Sequence, residues 1–156
     1  MRRVNLTDPR FSYDDDDPDG FRSGMSRLGP QLGAAQSGAS LYELAAGQAV
    51  CPYHYEIGEE EWLLVLSGRP SLRDPAGTHE LEPLDMVFFA RGADGAHQIR
   101  NDSDEPARVL MWSTVVIPTA TVYPDSDKIG VWNGGDKSDD VVVQRSSSVD
   151  YWHGET

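Results

Sequence analysis

A series of short apolar segments, each bounded by turn residues, constrains the fold of this chain more than any other feature. The segments are rich in Val, Leu, Ile and aromatic residues, and Gly, Pro, Asp and Ser separate them. None keeps a helical period over helical length, so they predict strands of an all-β antiparallel sandwich or barrel. The predicted strands cover residues 40–44, 50–57, 61–66, 71–73, 78–81, 85–90, 96–100 and 108–117.

The two ends of the chain are more polar than its middle. Residues 1–37 carry Asp, Gly, Ser and Pro without a sustained period, which predicts a mostly irregular N-terminal arm. Residues 38–118 then form the β domain. Residues 119–156 form a C-terminal extension that packs on this domain or on a second subunit, and Val141 to Val143 predict one more strand in it.

Charge and cysteine content restrict the partners. The formal net charge is −13, which disfavours binding to nucleic acid or to anionic membranes. Cys51 is the only cysteine, so no intrachain disulfide forms. We find no secretory signal and no segment of membrane-spanning length, and therefore expect a cytoplasmic protein. The aromatic and β-branched residues of the extension, Trp132, Val141 to Val143 and Trp152, predict a homodimer interface.

Four polar residues are candidates for a metal site. His54 and Glu56 are two apart, so on a strand both side chains project from one face. Glu61 follows the turn at Gly58, and His97 lies in a later hairpin. Imidazole and carboxylate ligands from neighbouring strands suit one divalent ion such as Fe, Mn, Ni, Co or Zn. Spacing alone leaves a second interpretation open, in which these residues are ordinary core or surface groups.

Two stretches resemble the paired motifs of the cupin superfamily. Residues 47–68 contain a Gly, then His54-x-Glu56, then Glu61, then Gly68 seven positions later. This is similar to the first cupin motif, in which a second His stands at the position of Glu56. Residues 84–101 resemble the second motif, which ends in His-x-x-x-Asn, here His97 and Asn101. The match spans residues 41–116, and residues 123–130 resemble an extension found in a group of uncharacterised bacterial cupins.

The resemblance implies a single cupin barrel, also called a double-stranded β-helix or jelly roll, in which His54, Glu61 and His97 are metal ligands. Glu56 departs from the family pattern and has two interpretations. It is a fourth ligand through oxygen, or it stays unligated as a catalytic general base. The second motif also departs, since Leu84 replaces a Gly and Ala90 a Pro.

Further residues are candidates for the pocket. Tyr42, Phe88, Ile99, Met111 and Ser113 are expected to form its walls or ordinary core. Cys51 lies three positions before His54, which on a regular strand places it on the opposite face as a buried spectator thiol.

Two functions remain open from the sequence. The first is a metal-dependent enzyme acting on a small polar metabolite such as a sugar, sugar phosphate or keto acid, of isomerase, epimerase or dioxygenase type. The second is a non-catalytic cupin that binds or senses a small-molecule ligand and has a structural metal. The superfamily includes both kinds, so fold alone does not separate them.

Overall fold

A computed structural model describes residues 1–156 and consists mainly of strands. One short helix, α1, spans Leu28–Leu32, and no helix is long and apolar enough to cross a membrane. The strands are β1 (Gly24–Arg27), β2 (Ser37–Leu44), β3 (Tyr55–Glu56), β4 (Glu61–Ser67), β5 (Ser71–Asp74), β6 (Gly77–Glu80), β7 (Met86–Phe89), β8 (Gln98–Arg100), β9 (Ala107–Thr114), β10 (Thr119–Tyr123), β11 (Lys128–Trp132) and β12 (Val141–Gln144). Single 3₁₀ turns span Ala93–Gly95, Pro124–Ser126, Lys137–Asp139 and Arg145–Ser147.

The strands form three sheets in which every pair is antiparallel. The largest has the order β1-β2-β9-β4-β7, the second β12-β11-β10-β3, and the third β6-β5-β8. The prediction of an all-β antiparallel fold is confirmed. The predicted strand at residues 50–57 is shorter, because residues 50–53 are bends and only Tyr55 and Glu56 pair as a strand.

The core lies on the inner face of the five-stranded sheet. Alternate residues of β9 (Ala107, Val109 and Met111) and of β4 (Leu63 and Val65) point inward, as expected for strands with one buried face. The Val, Leu and Met side chains among them each contribute roughly 1.5–3 kcal/mol when fully buried. This packing fixes the register of β4 and so the position of its first residue, Glu61.

Aromatic side chains occupy the outer face of the same sheet. Trp62 on β4 stacks on Trp112 on β9, with ring centroids 6.0 Å apart, and contacts Phe88 on β7 at 4.6 Å. Phe88 was a candidate pocket wall, and this expectation is wrong. It alternates with Phe89, whose ring is the one that points inward, and its own side chain is exposed.

The N-terminal segment contains structure that its composition did not predict. Strand β1 pairs with β2 at the edge of the five-stranded sheet, and α1 packs on β2. Ser12 and Met25 form an isolated bridge, and the Tyr13 hydroxyl donates to Glu43 at 2.9 Å. These contacts anchor the segment to the β domain. The domain boundaries themselves stay a prediction.

The C-terminal extension joins the second sheet. Strand β10 pairs with β3, placing Thr121 opposite Glu56, and also with β11, which pairs with β12. The strand predicted at Val141 to Val143 is confirmed as part of β12. Tyr151 and Trp152 contact only each other among the aromatic rings and are 83% and 69% exposed, so they do not anchor the terminus to this chain.

Candidate metal centre

Backbone pairing brings together residues from distant parts of the chain. His54, immediately before β3, forms an isolated antiparallel bridge with His97, immediately before β8. Glu61 begins β4, where it pairs with Ser113 of β9 and with Phe89 of β7. All three side chains point into the space between the sheets. His54 and His97 are buried, and the Glu61 side chain is 18% exposed.

Three of the four candidate residues form a compact cluster. The ligand atoms offered by His54, Glu61 and His97 all lie within 4.8 Å of one another. Glu61 Oε2 is 3.8 Å from His54 Nε2 and 3.7 Å from His97 Nε2. These separations are too long for hydrogen bonds but suit atoms that share one central ion.

Main-chain carbonyls fix the orientation of both imidazoles, on the side of each ring away from Glu61. His54 Nδ1 lies 3.0 Å from the carbonyl of Pro52, and His97 Nδ1 lies 2.9 Å from that of Gly95. A carbonyl only accepts, so each Nδ1 carries the proton and each Nε2 presents its lone pair to Glu61. Phe89 stacks on the His97 ring at 3.6 Å between centroids. Such partners are typical of histidines that ligate metals.

Two polar atoms of the cluster are buried without any hydrogen-bond partner. They are Glu61 Oε2 and His97 Nε2. Buried polar atoms are almost always satisfied, and leaving one unpaired costs about 1–3 kcal/mol. Both atoms are acceptors aimed at the same point, so a cation there would satisfy them together. The residues present therefore fit a divalent metal ion, whose identity their chemistry leaves open among Fe, Mn, Ni, Co and Zn.

The pKa values of the cluster are strongly perturbed. Burial, with a contribution from His54, lowers the pKa of His97 to about 3, and burial also lowers the pKa of His54. Burial raises the pKa of Glu61 to about 8, helped by the nearby charges of Glu56 and Glu59. Without a cation, burial therefore favours the uncharged forms of both imidazoles and of Glu61, whereas a cation would favour the carboxylate form of Glu61.

Glu56 lies beside the cluster and outside it. Its Oε1 is 3.8 Å from His54 Nε2, but the group of mutually close ligand atoms does not include it. The hydroxyl of Thr121 on β10 is 2.9 Å from both carboxylate oxygens, and Trp132 Nε1 donates to that hydroxyl at 2.7 Å. Burial raises the pKa of Glu56 to about 7, although the bond from Thr121 opposes the shift.

Cys51 lies on the same side as the histidine and not on the opposite face. Its Sγ is 3.4 Å from His54 Nδ1, and it lines the cavity beside the cluster. The expectation was wrong because it assumed a regular strand, whereas residues 50–53 are bends and do not alternate. Burial raises the pKa of the thiol, so it remains protonated.

The cavity beside the cluster has a volume of about 200 Å³. Of the predicted wall residues, Tyr42, Met111 and Ser113 line it. Ile99 does not, because its side chain belongs to the hydrophobic core.

Sequence reasoning missed the residues that the C-terminal extension supplies. Thr121 contacts Glu56 directly, and Trp132 reaches it through the Thr121 hydroxyl. Tyr123 packs near His54, with ring centroids 6.0 Å apart. The one available signal was the alternation of Thr119 to Tyr123, which is typical of a strand with one buried face. It gave no indication that β3 would be the partner.

Comparison with known proteins agrees with this architecture. The cupin-domain family model matches residues 40–113. A sugar phosphate isomerase of the cupin superfamily from Silicibacter pomeroyi has a similar solved structure, with 25% identity, a TM-score of 0.80 and 94% of each chain covered. A provisionally named sugar phosphate isomerase from Acidithiobacillus ferrooxidans has 27% identity and a TM-score of 0.76, with 84% of this chain and 81% of that chain covered.

A polyketide cyclase from Streptomyces resistomycificus shares the fold at 24% identity and a TM-score of 0.60, with 73% of this chain and 79% of that chain covered. The search of curated proteins gave no sequence match. The matched segment holds His54, Glu61 and His97 together with β3, β4 and β8, the strands at whose ends they lie. Residues 40–113 match the cupin-domain family model, and the chain has the fold of the cupin superfamily.

Proposed function

We propose that this protein is a metal-dependent enzyme that acts on a small polar metabolite by moving a proton, as an isomerase or epimerase does. One observation supports this most directly. Glu61 Oε2 and His97 Nε2 are buried acceptors without partners, next to a second carboxylate whose pKa lies near 7. A site with a cation position and an adjacent base has the two elements that such a reaction requires.

The chain's own residues have separate roles in this proposal. His54, Glu61 and His97 hold the ion, which would supply Lewis-acid polarisation of a substrate oxygen. Glu56 removes a proton from the carbon next to the substrate carbonyl. In an isomerisation the same proton is then added to the carbonyl carbon. The proton of the adjacent substrate hydroxyl passes to the former carbonyl oxygen. A base with a pKa near the working pH is suited to both transfers.

We favour isomerase or epimerase chemistry over dioxygenase chemistry because of the names of two similar solved structures. Two solved structures with at least 25% identity are named as sugar phosphate isomerases, one of them provisionally. This comparison supports a sugar or sugar phosphate as the substrate class.

The distribution of charge supports a substrate with one uncharged and one anionic end. No Lys or Arg lines the cavity beside the cluster. An adjoining cavity of about 590 Å³ shares Ser40, Tyr42 and Ser113 with it, and its lining includes Arg27 of β1. Glu59 also lines this second cavity, and its carboxylate accepts the Val116 N–H at 2.9 Å. We infer that Arg27 meets the phosphate or carboxylate of the substrate, while the carbonyl end lies at His54 and Glu61, which line the smaller cavity, with Glu56 beside His54.

Deuterium exchange tests the proposal directly. Metal-loaded protein is incubated in D₂O with a panel of aldose and ketose phosphates, and incorporation at the carbon next to the carbonyl is followed by NMR. We expect exchange with the wild type, none with Glu56→Gln, and wild-type exchange with His79→Ala, which alters an exposed residue of β6. Protein that binds no stoichiometric metal, or that binds it without exchange or ligand-induced stabilisation, would refute the proposal.

The second candidate is a non-catalytic binding or sensing protein with a structural ion. The rigid support of His54 and His97 by backbone pairing and by main-chain carbonyls suits a structural ion as well as a catalytic one. Tight binding of a metabolite that mass spectrometry recovers unchanged would support this candidate over the enzyme.

We also propose that two copies associate through the C-terminal extension. Strand β12 is the outer strand of its sheet, and Val141, Val142 and Val143 are 45–51% exposed. An unpaired edge with apolar side chains suits pairing with a second copy. A monomeric mass in solution scattering would exclude this assembly.

A further inference from the structure

We propose that Trp132 and Thr121 form a latch that holds Glu56 away from the metal ion, so that a coordination position stays open for substrate. This inference rests on the proposed metal site and assigns a positioning role to two residues of the C-terminal extension. It also distinguishes the two interpretations of Glu56, since a latched carboxylate acts beside the ion and not on it.

The direction of each hydrogen bond in the latch is determined by chemistry. An indole N–H only donates, so Trp132 Nε1 gives its proton to Thr121 Oγ1 at 2.7 Å. The hydroxyl proton of Thr121 is then free to bond the Glu56 carboxylate, whose two oxygens both lie 2.9 Å away. The chain of donors therefore ends on Glu56, and each member has its partner.

The sheet makes this arrangement rigid. Thr121 is 2% exposed and lies opposite Glu56 on β3 and opposite Gly130 on β11. The indole of Trp132 occupies the space next to Gly130, where a Cβ would collide with the six-membered ring. A glycine at this position thus provides the room in which Trp132 reaches Thr121.

Glu56 lies close enough to the proposed metal site for the latch to affect the coordination of the ion. Its carboxylate is only 3.8 Å from His54 Nε2, so a modest side-chain rotation would bring it to an ion held by His54, Glu61 and His97. Carboxylates bind such ions readily, so an unrestrained Glu56 would take the open position. The hydrogen bond from Thr121 competes with that movement.

Cobalt substitution tests the latch without any need for substrate. Co²⁺ is titrated into the apoprotein, and the visible spectrum and the affinity are recorded. In Thr121→Val we expect a changed visible spectrum, because the Glu56 carboxylate would take the place of solvent on the ion, and affinity about tenfold higher. Trp132→Phe should shift both readouts in the same direction by less. Thr78→Val, on the exposed strand β6, is the matched control and should match the wild type.

Glu56→Gln provides the decisive comparison. On the wild-type background it should leave the Co²⁺ spectrum unchanged, and combined with Thr121→Val it should restore the wild-type spectrum. A wild-type spectrum in Thr121→Val, or a changed spectrum in Glu56→Gln alone, would overturn the latch. If Thr121→Val does not fold, Trp132→Phe and Glu56→Gln give the same test. Failure of the wild type to bind Co²⁺ counts against the metal site itself, whereas binding that no variant alters counts against the latch alone.

Discussion

His54 and His97 face each other across an antiparallel bridge in which the main-chain N–H of each donates to the carbonyl of the other, at 3.1 and 2.8 Å. Their ring centroids are 4.6 Å apart. The separation of the two imidazoles is therefore set by backbone pairing between the two motifs. A site built this way is largely formed before an ion arrives, which keeps the entropic cost of binding low.

Removal of His97 should abolish tight metal binding. We expect the wild type to bind one equivalent of Co²⁺ or Zn²⁺, and His97→Ala to bind it at least about 100-fold more weakly, because one of three ligands is lost. Isothermal titration calorimetry and elemental analysis measure this. His79→Ala, which changes an exposed histidine near Asp74, should bind as the wild type does. Equal binding by both variants would show that the ion lies elsewhere.

The apoprotein should lose stability as pH rises from about 4.5 to 8. The folded-state pKa of Glu61 is raised to about 8, so its ionisation is penalised on folding, and the loss is complete above that pH. The pKa of Glu56, raised to about 7, adds to the loss over the same range. Above about pH 7.5 His97 contributes little, since its pKa is lowered to about 3 and it is neutral in both states.

Glu61→Gln removes the larger of the two contributions and leaves that of Glu56. At pH 8.5 we expect the apo variant to melt about 5 °C higher than the apo wild type, with the difference shrinking towards pH 5. Calorimetric melting of metal-free samples across this range provides the measurement. A variant that melts lower than the wild type at pH 8.5 would contradict the assignment.

Asn101 should contribute to stability and not to metal binding. It is fully buried, its amide donates to the carbonyls of Leu44 and Glu105, and its oxygen accepts from Ser103. Asn101→Ala leaves these groups unpaired and should cost about 2–3 kcal/mol in denaturant unfolding. The folded Asn101→Ala variant should still bind one ion. The exposed Asn5→Ala is the control, with a change within about 0.5 kcal/mol.

Arg27 should select for an anionic end of the ligand. Replacing it by Gln removes the one cationic side chain in the larger cavity. We expect about tenfold weaker binding of a sugar phosphate and almost no change for the corresponding unphosphorylated sugar. Thermal-shift titration of both ligands measures the difference. Arg145→Gln, in the C-terminal extension, serves as a control for the loss of one positive charge. Equal weakening for both sugars would remove Arg27 from phosphate recognition.

The sequence was most informative where ligands lie on or next to regular strands. The convergence of His54, Glu61 and His97 could be predicted because it follows from local properties of the chain. These properties are the alternation of side chains along β4 and the residue spacing within the two motifs. The same reasoning failed for Cys51, because bends at residues 50–53 break the alternation on which it depended.

The surroundings of Glu56 could not be predicted from the sequence. They depend on β3 pairing with β10, between residues about 65 positions apart along the chain. Nothing local to Thr121 or Trp132 specifies that partner, since non-local strand pairing is determined by the packing of the whole domain. Phe88 illustrates the same limit, because its exposure depends on which face of β7 the rest of the domain covers.

The pairing of β3 with β10 also has a consequence during protein synthesis. Since the chain emerges from the ribosome N-terminal end first, residues 54–97 are made before Thr121 and Trp132. Until β10 has formed, Glu56 has no partner hydroxyl, and Trp132 reaches that hydroxyl only when β11 follows. If the proposed metal site and latch hold, an ion bound before these two strands pair would meet an unrestrained Glu56, so the order of synthesis favours loading of the metal after the second sheet is complete.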